Sequence, residues 1–353
     1  MSDRGTSRRA DVRVTFDGAD ITEDIRPYLL ELSYTDNEED ETDDLSITLQ
    51  DRSGIWLESW CMEAINAASE SRKISGTIIR KNWTGNGEDE VLECGEFELD
   101  SISMFGPPST VTLDATSLPY AEPVRQTVKH KDWESISLSG IAGEIAGNAG
   151  LKLIYLSSVD PFFEREEQFR ASDIEYLSEL CHENGLSLKT TDGQIVIFDQ
   201  PAFEASEPIG TIRRGDGSYI KYTLESGEAK TQYSSCRVRY NHPEKGLIEA
   251  TFDNPDSKSG NKNDQVLEKE VKVEDTGTAE EKAKSFLRLA NKFEMTASFT
   301  FPGNPIYCAG MTLDLAGFGE WDGTYMIRQA VHTVSGSGGY TTSVKLRMVL
   351  NGY

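Results

Sequence analysis

The sequence is poor in the residues that build disulfide frameworks, zinc clusters and nucleophilic active sites. Its 353 residues include five cysteines and four histidines, and no two cysteines form a CxxC pair. Scattered cysteines of odd number predict reduced thiols that are mostly buried. The histidines lie outside GxSxG and HExxH contexts, and the chain has neither a P-loop nor a GxGxxG segment after a strand. The sequence therefore predicts a protein that is not an enzyme and that uses no cofactor and no metal.

Long apolar runs are also missing. No stretch approaches the ~20 consecutive apolar residues that a membrane-spanning helix needs. The chain starts with MSDRGTSRRADVRVTF, which lacks the apolar segment of a secretory signal. We therefore expect a protein that folds in a cytosol and makes no contact with a membrane.

Positive charge is scarce relative to negative charge. The chain has 35 lysines and arginines against 60 aspartates and glutamates, a formal net charge of −25. A surface this negative repels nucleic acid, so we expect no specific nucleic-acid binding. The same charge is compatible with lining a passage through which DNA slides without being held.

Alternating apolar residues predict a β-rich first part, residues 1–118. The first segment places Val12, Val14 and Phe16 on one face, and similar short segments follow between turn signals. Many such segments predict an antiparallel barrel or sandwich. Residues 55–68 are the exception, because their apolar spacing predicts a helix that plugs one end of the barrel.

The middle of the chain, residues 119–206, predicts a small α+β domain. Apolar residues at helical spacing predict a helix over residues 133–150. Ser172 and Glu175 form a capping box at the start of a second helix. The Asp-Gly pair at 192–193 predicts the turn of a hairpin.

The last part, residues 207–353, returns to strand patterns. One helix, predicted over residues 278–294, is inserted among them, with Thr278 as its cap and Glu281 at the third position. We expect this part to form a second barrel.

Two hairpins resemble each other at the ends of the two β-rich parts. Each has Gly-x-aromatic-x-aliphatic in its first strand and Thr/Ser-Val-x-Leu in its second, and the second hairpin has a turn five residues longer. This echo predicts that the two β-rich parts are related. The matched residues are Gly95 with Gly323, Phe97 with Tyr325, Leu99 with Ile327, Val111 with Val344, and Leu113 with Leu346.

An acidic segment lies between two strand patterns, with seven carboxylates in nine residues. It lacks the DxDxDG order and the glycine of a calcium-binding loop. A solvated hairpin loop is one interpretation, and a functional acidic surface is the other. The seven are Asp36, Glu38, Glu39, Asp40, Glu41, Asp43 and Asp44.

Four stretches of the chain carry a family resemblance: Asp43–Leu57, Cys94–Ser117, Val124–Tyr155 and Glu164–Asp199. Together they resemble the phage late control protein D group, the baseplate hub proteins of contractile tails. The chain is also similar to the N-terminal part of type VI secretion VgrG spikes. The resemblance covers most of residues 15–200, and the second half of the chain agrees in the order of its predicted elements more than in its residues. A departure is the helical pattern of residues 61–73, where the family has a short Pro/Gly connection.

The resemblance implies a β-rich α+β fold in which two tube-type antiparallel β-barrels, 1–118 and 207–353, flank the small α+β domain, 119–206. It implies a homotrimer whose duplicated barrels form a pseudo-sixfold ring, adapting a threefold spike to a sixfold tail tube. The implied partners are the central spike, the tail tube protein, baseplate wedge proteins and, as a further candidate, the tape-measure protein. The implied location is the baseplate of a virion or tail-like particle, assembled in the bacterial host cytoplasm.

In such a ring the acidic segment is expected to face the lumen or the rim, as a collar that repels cargo within a screening length of ~8 Å. The solvated-loop interpretation stays open beside it. A rival function from another class is a tail-tip cell-wall hydrolase, and a third is a calcium-binding β-protein. Whether the particle is an infectious phage or a headless bacteriocin stays open as well.

Overall fold

The computed structural model describes residues 7–56, 72–83, 85, 88–117, 127–227, 233–255, 265–350 and 352–353. Within these residues strand is the dominant structure, and the fold is β-rich α+β, as the sequence predicts. Residues 57–68 of the predicted plug helix and residues 61–71 of the departing segment lie outside the described residues.

The strands before residue 118 belong to one sheet. Their apolar residues alternate as predicted, and in the fourth strand Leu45, Ile47 and Leu49 face the core and are at most 2% exposed. The strands are β1 (Arg9–Phe16), β2 (Ala19–Asp20), β3 (Leu29–Asn37), β4 (Asp44–Gln50), β5 (Lys73–Lys81), β6 (Asp89–Phe105) and β7 (Thr110–Thr116).

The middle strands form two small sheets. β8 pairs with β10, and β12 pairs antiparallel with β11 and parallel with β9. The predicted hairpin turn is confirmed, because Asp192 (φ 45°) and Gly193 (φ 68°) both have the positive φ of a type I′ turn. The strands are β8 (Lys129–Ser137), β9 (Lys152–Leu156), β10 (Phe162–Ala171), β11 (Ser187–Thr191) and β12 (Gln194–Phe198).

The last strands divide between the large sheet and a small one. β15 pairs with β16 and β17, and the others join the first strands in a sheet with 13 strands in the described part of the chain. They are β13 (Thr211–Arg213), β14 (Lys221–Ser226), β15 (Ser235–His242), β16 (Gly246–Asp253), β17 (Val266–Glu270), β18 (Met295–Pro302), β19 (Thr312–Ala316), β20 (Gly323–Ser335) and β21 (Gly339–Met348).

The described helices are short and connect successive strands. The capping box at Ser172 is confirmed, since its hydroxyl accepts the Glu175 N–H while the Glu175 carboxylate accepts the Ser172 N–H. The helices are α1 (Thr22–Ile25), α2 (Leu138–Asn148), α3 (Asp173–Glu183), α4 (Gln200–Glu204) and α5 (Thr276–Asn291), with a 3-10 turn at Gly319–Trp321.

Two predicted helix starts are wrong. The prediction over 133–150 placed its first turn too early, because residues up to Ser137 continue β8 and Ser137 is the N-cap of α2. Helix α5 is capped by Asp275, which accepts the Thr278 N–H at 2.8 Å, so Thr278 lies inside the helix. A carboxylate at the N-cap is also attracted by the positive N-terminal end of the helix dipole, which favours Asp275 over the Thr278 hydroxyl as the cap.

Within the described residues, the buried apolar side chains form four main clusters. One fills the first part of the large sheet, one the α+β middle, one the second part of the large sheet, and one lies between β15–β17 and α5. Of the cysteines that the structure describes, Cys94, Cys181 and Cys236 are buried and Cys308 is half-buried, and all four are free thiols, as predicted. Among the described helices none has an apolar stretch that would reach across a bilayer.

Candidate functional site

The acidic segment joins three parts of the molecule. It is the turn of the β3–β4 hairpin, whose last strand pair is Thr35 with Asp44. On one side the Glu38 N–H donates to the Arg328 carbonyl, at the bulge of β20, at 2.9 Å. On the other side the Asp40 N–H donates to the Leu188 carbonyl of β11 at 3.1 Å.

Asp36 and Asp43 form a buried pair around one lysine. The Lys189 ammonium lies 3.3 Å from Asp43 and also pairs with Asp36. Asp36 accepts the Ala309 N–H at 2.8 Å, and Asp43, only 1% exposed, accepts the Asn37 N–H at 2.8 Å. Burial, opposed by Lys189 and reinforced by the Asp36 charge, raises the pKa of Asp43 to about 6.

Glu38 belongs to a longer chain of buried charges. Arg347 is fully buried and holds the Glu38 carboxylate with two hydrogen bonds of 2.5 and 3.1 Å. Arg347 also forms an ion pair with Glu204 of α4. Arg288 of α5 forms a second ion pair with the same Glu204 carboxylate, at 2.5 Å. A bidentate guanidinium–carboxylate contact fixes both groups in one plane, so the network orients α4 and α5 against the large sheet.

Glu39 and Asp40 continue the network toward α3 and α5. Glu39 pairs with Lys292 and accepts the Ser187 hydroxyl at 2.5 Å. Burial raises the pKa of Glu39, but the Lys292 ammonium outweighs it and the pKa falls to about 2. Asp40 lies 3.0 Å from His182 and accepts the Ser178 hydroxyl at 2.8 Å.

The ligand atoms of Glu39, Asp40 and His182 lie within 4.8 Å of one another, a spacing that a metal ion also requires. The Lys292 ammonium already neutralises Glu39 and would repel a second cation at this distance. We therefore assign these three residues to the charged joint, defined as the acidic segment together with His182, Lys189, Lys292 and Arg347.

These contacts correct the expected collar for four of the seven carboxylates. Asp36, Glu38, Glu39 and Asp43 point into the protein and pair with cations, because a buried carboxylate without a partner is costly. The exposed members are Asp40, Glu41 and Asp44, and the lumen hypothesis now concerns only those three.

The raised pKa of Asp43 predicts a specific pH dependence of stability. Its folded pKa of about 6 exceeds the unfolded value of 3.8, so its stabilising contribution is present below pH ~4 and lost as pH rises through ~6. The unfolding free energy of the wild type minus that of Asp43→Asn should therefore fall by roughly 2–3 kcal/mol between about pH 4 and pH 7. Urea titrations across this range measure it. Glu41→Gln, which removes an exposed carboxylate of the same segment, is the control, and parallel curves for wild type and Asp43→Asn would contradict the assignment.

A second feature of the structure is a repeated strand order. We name β3, β4, β5, β6 and β7 the first module, and β14, β18, β19, β20 and β21 the second module. Within the sheet the first module runs β3-β4-β7-β6-β5, and the second runs β14-β18-β21-β20-β19. Numbered by their order in the chain, the strands of both modules lie in the order 1-2-5-4-3.

The two modules also agree in detail. A β-bulge follows Leu99 in β6, and another follows Ile327 at the corresponding place in β20. Phe97 pairs with Ile74 of β5, as Tyr325 pairs with Leu313 of β19. The hydroxyls of Thr48 and Thr112 lie 3.1 Å apart, and those of Thr300 and Ser343 lie 3.0 Å apart at matching positions.

The strand pairing corrects two of the five residue pairs predicted for the hairpins. Gly95, Phe97 and Leu99 align with Gly323, Tyr325 and Ile327. In the second strands, however, Leu113 aligns with Val344 and Ala115 with Leu346, because these residues occupy the same places opposite the matched bulges. Val111 therefore corresponds to Thr342. A slip of two residues keeps every side chain on its own face, so the apolar alternation does not reveal it.

One edge contact joins the modules within the chain. The half of β20 after its bulge, from Gln329 to Ser335, pairs antiparallel with β3. His332 is opposite Tyr34 there, with ring centroids 6.1 Å apart, and both side chains are buried. Val334 and Tyr340 complete the apolar cluster of the first module.

The corresponding edges have no partner among the described strands. Of the described strands, none pairs with residues 101–105 of β6 on the side away from β7, although these residues correspond to the joined half of β20. β14, which corresponds to β3, likewise has β18 as its one described neighbour. Apolar residues are exposed on both edges, which is unusual unless a partner covers them: Met104 is 37% exposed, Phe105 65% and Tyr222 39%.

Comparison with known proteins shows that the sequence is similar to probable baseplate hub proteins of two phages. The chain is 24% identical to the probable baseplate hub proteins of Escherichia phages 186 and P2, over 234 and 237 residues. The predicted resemblance to phage baseplate hub proteins is confirmed. The matched region is 65% of this chain and 56% of each hub protein, so the chain spans about half the length of these relatives. No protein-family model matches the chain.

Solved structures show the same fold over nearly the whole chain. The 43 kDa tail protein of prophage MuSo2 from Shewanella oneidensis superposes with a TM-score of 0.70 at 14% identity, covering 96% of this chain and 98% of that one. A type VI secretion component of Escherichia coli, described as similar to the T4 tail proteins gp27 and gp5, superposes with a TM-score of 0.53 at 10% identity. That match covers 99% of this chain and 77% of the other.

Proposed function

We propose that this protein is the structural baseplate hub of a contractile tail or tail-like particle, and that three copies form a ring with pseudo-sixfold symmetry. The observation that carries the proposal is that one chain contains two modules of the same topology, one edge contact between them, and two matching edges that no described strand covers. The hub-like sequence and the tail-protein fold support it.

The ring is built by repeating the β20–β3 edge contact between neighbouring chains. In the chain, β20 joins β3. Between chains, β6 of one copy would join β14 of the next in the same antiparallel register. The pair His332–Tyr34 then corresponds to Met104 opposite Leu224 of the neighbour, and Val331–Thr35 corresponds to Ser103 opposite Glu225. This pairing removes the exposed apolar residues of both edges from water and places them against side chains of the neighbouring strand.

Such a ring resolves a mismatch of symmetry. Three chains with two modules each give six similar edge contacts between modules. Three of these contacts lie within chains and three lie between neighbouring chains. The face formed by the modules is then nearly sixfold and fits a tail tube, while the parts that occur once per chain are threefold and fit a central spike. Baseplate wedge proteins would contact the outside, and a tape-measure protein the lumen.

The remaining assignments belong to the same proposal. The chain divides into a first tube-type barrel at 1–118, an α+β domain at 119–206 and a second tube-type barrel at 207–353. The exposed carboxylates Asp40, Glu41 and Asp44 line the lumen or rim of the ring. The role is structural and non-enzymatic, at the baseplate of the particle.

The molar mass in solution tests the proposal. Light scattering coupled to gel filtration should give about three times the 39.2 kDa of one chain. A second run with the tail tube protein of the same particle should give a complex in which that protein and the hub are present at a ratio of two to one. A chain that remains a monomer in both runs would contradict the ring.

A further inference from the structure

A groove with a volume of about 870 Å³ runs between the α+β part and helix α5. Strand β10 and the end of α3 form one wall, and α5 with residues 270–274 forms the other. Lys282 of α5 pairs with Glu183 of α3 at 3.0 Å, and this ion pair links the two walls of the groove.

The rim of the groove is apolar. Phe162 is 65% exposed and Val159 is 43% exposed, and both line it. The neighbouring Phe163 packs against the core of the α+β part, so the segment that presents Phe162 is held in place. A fixed, exposed aromatic side chain beside a groove is a frequent anchor for a bound partner.

The walls carry an excess of negative charge. Seven carboxylates and three cations line the groove, and one of the cations, Lys282, is already paired with Glu183. Glu166 is half-buried, and burial together with the nearby charge of Glu183 raises its pKa, which shows that the carboxylate lacks full compensation. Glu164 and Glu281 project from opposite walls and are exposed.

We propose that this groove binds a basic, apolar peptide segment of a partner protein, in which lysine or arginine alternates with apolar side chains. The apolar side chains would contact Phe162 and Val159, and the cations would lie between Glu164, Glu166 and Glu281. Strand β10 pairs with β8 alone among the described strands, so its second edge supplies main-chain groups to an extended peptide. The groove uses neither of the sheet edges of the ring, so it is tested separately from the proposed function.

Fluorescence anisotropy with the full chain at physiological salt tests this proposal. The probe is a short labelled peptide of alternating lysine and leucine. Two matched peptides replace its lysines by glutamate or its leucines by serine. We expect the lysine–leucine peptide to bind, and each matched peptide to bind at least roughly tenfold more weakly, since both charge and apolar contact contribute.

Variants locate the binding. Glu164→Gln with Glu281→Gln should weaken the lysine–leucine peptide by about 3- to 10-fold, whereas Glu207→Gln with Glu320→Gln, which removes the same charge from exposed sites elsewhere, should leave binding unchanged. Phe162→Ser should weaken binding with an unchanged unfolding midpoint, because its side chain is largely exposed. Equal losses in the two double variants, or equal binding of the lysine–leucine and lysine–serine peptides, would overturn the proposal.

Discussion

Replacing Arg347 by alanine is expected to lower the free energy of unfolding by about 3–5 kcal/mol, the largest single-residue effect that the charged joint predicts. The guanidinium is fully buried between two carboxylates, Glu38 and Glu204. Its removal leaves one of them, Glu38, without its bidentate partner in a site that excludes water. Urea-induced unfolding followed by circular dichroism measures the change.

The cause can be separated from a loss of packing. Lys345→Ala, two residues earlier on the same strand and exposed, should change stability by less than about 0.5 kcal/mol. Adding Glu38→Gln to Arg347→Ala should recover part of the loss, because it removes the uncompensated charge. If Glu38→Gln destabilises the wild type and the Arg347→Ala variant equally, the two residues do not act as a pair.

Replacing Leu224 by proline is expected to abolish the trimer while the monomer stays folded. The Gly227 N–H donates to the Glu294 carbonyl at 2.8 Å, so in the antiparallel alternation Leu224 directs its N–H away from β18. Proline removes that donor and places its ring on the open edge, which blocks strand addition without breaking a bond within the chain. The molar mass should fall from three chains to one.

Leu224→Thr is the matched control, since it loses similar apolar contact but keeps the N–H and a good strand residue. It should retain the trimer at somewhat higher protein concentration. The far-ultraviolet circular dichroism spectrum of Leu224→Pro should match that of the wild type. A Leu224→Pro protein that still forms trimers would show that β14 is not at the interface.

Local patterns in the sequence predicted local structure well. The alternation around Leu45, Ile47 and Leu49 predicted a strand, the capping box at Ser172 a helix start, and the Asp-Gly pair at 192–193 a hairpin turn. Each of these depends on interactions among residues close in sequence. The recurrence of the hairpin pattern at Gly95 and Gly323 likewise predicts a related pair of β-rich parts.

The charged joint was not predictable in the same way, because its cations come from three distant segments. Arg347 follows the inward-facing Leu346, so alternation places it on the outer face of β21, where an arginine is ordinarily solvated. Helices α4 and α5 cover that face, and alternation carries no information about them. The two-residue slip between Val111 and Val344 had a similar cause, since a period of two does not distinguish registers that differ by two.

The pairing of the open edges is the step on which the ring rests, and a cysteine pair measures it most directly. With Ser103→Cys and Glu225→Cys in every chain, mild oxidation should yield disulfide-linked dimers and trimers, with the linkage mapped between residues 103 and 225 of different copies. The pair Ser103→Cys with Thr223→Cys, displaced by two residues on the same face, should link far less. Equal linkage of both pairs, or trimers in which neither pair links, would contradict the account.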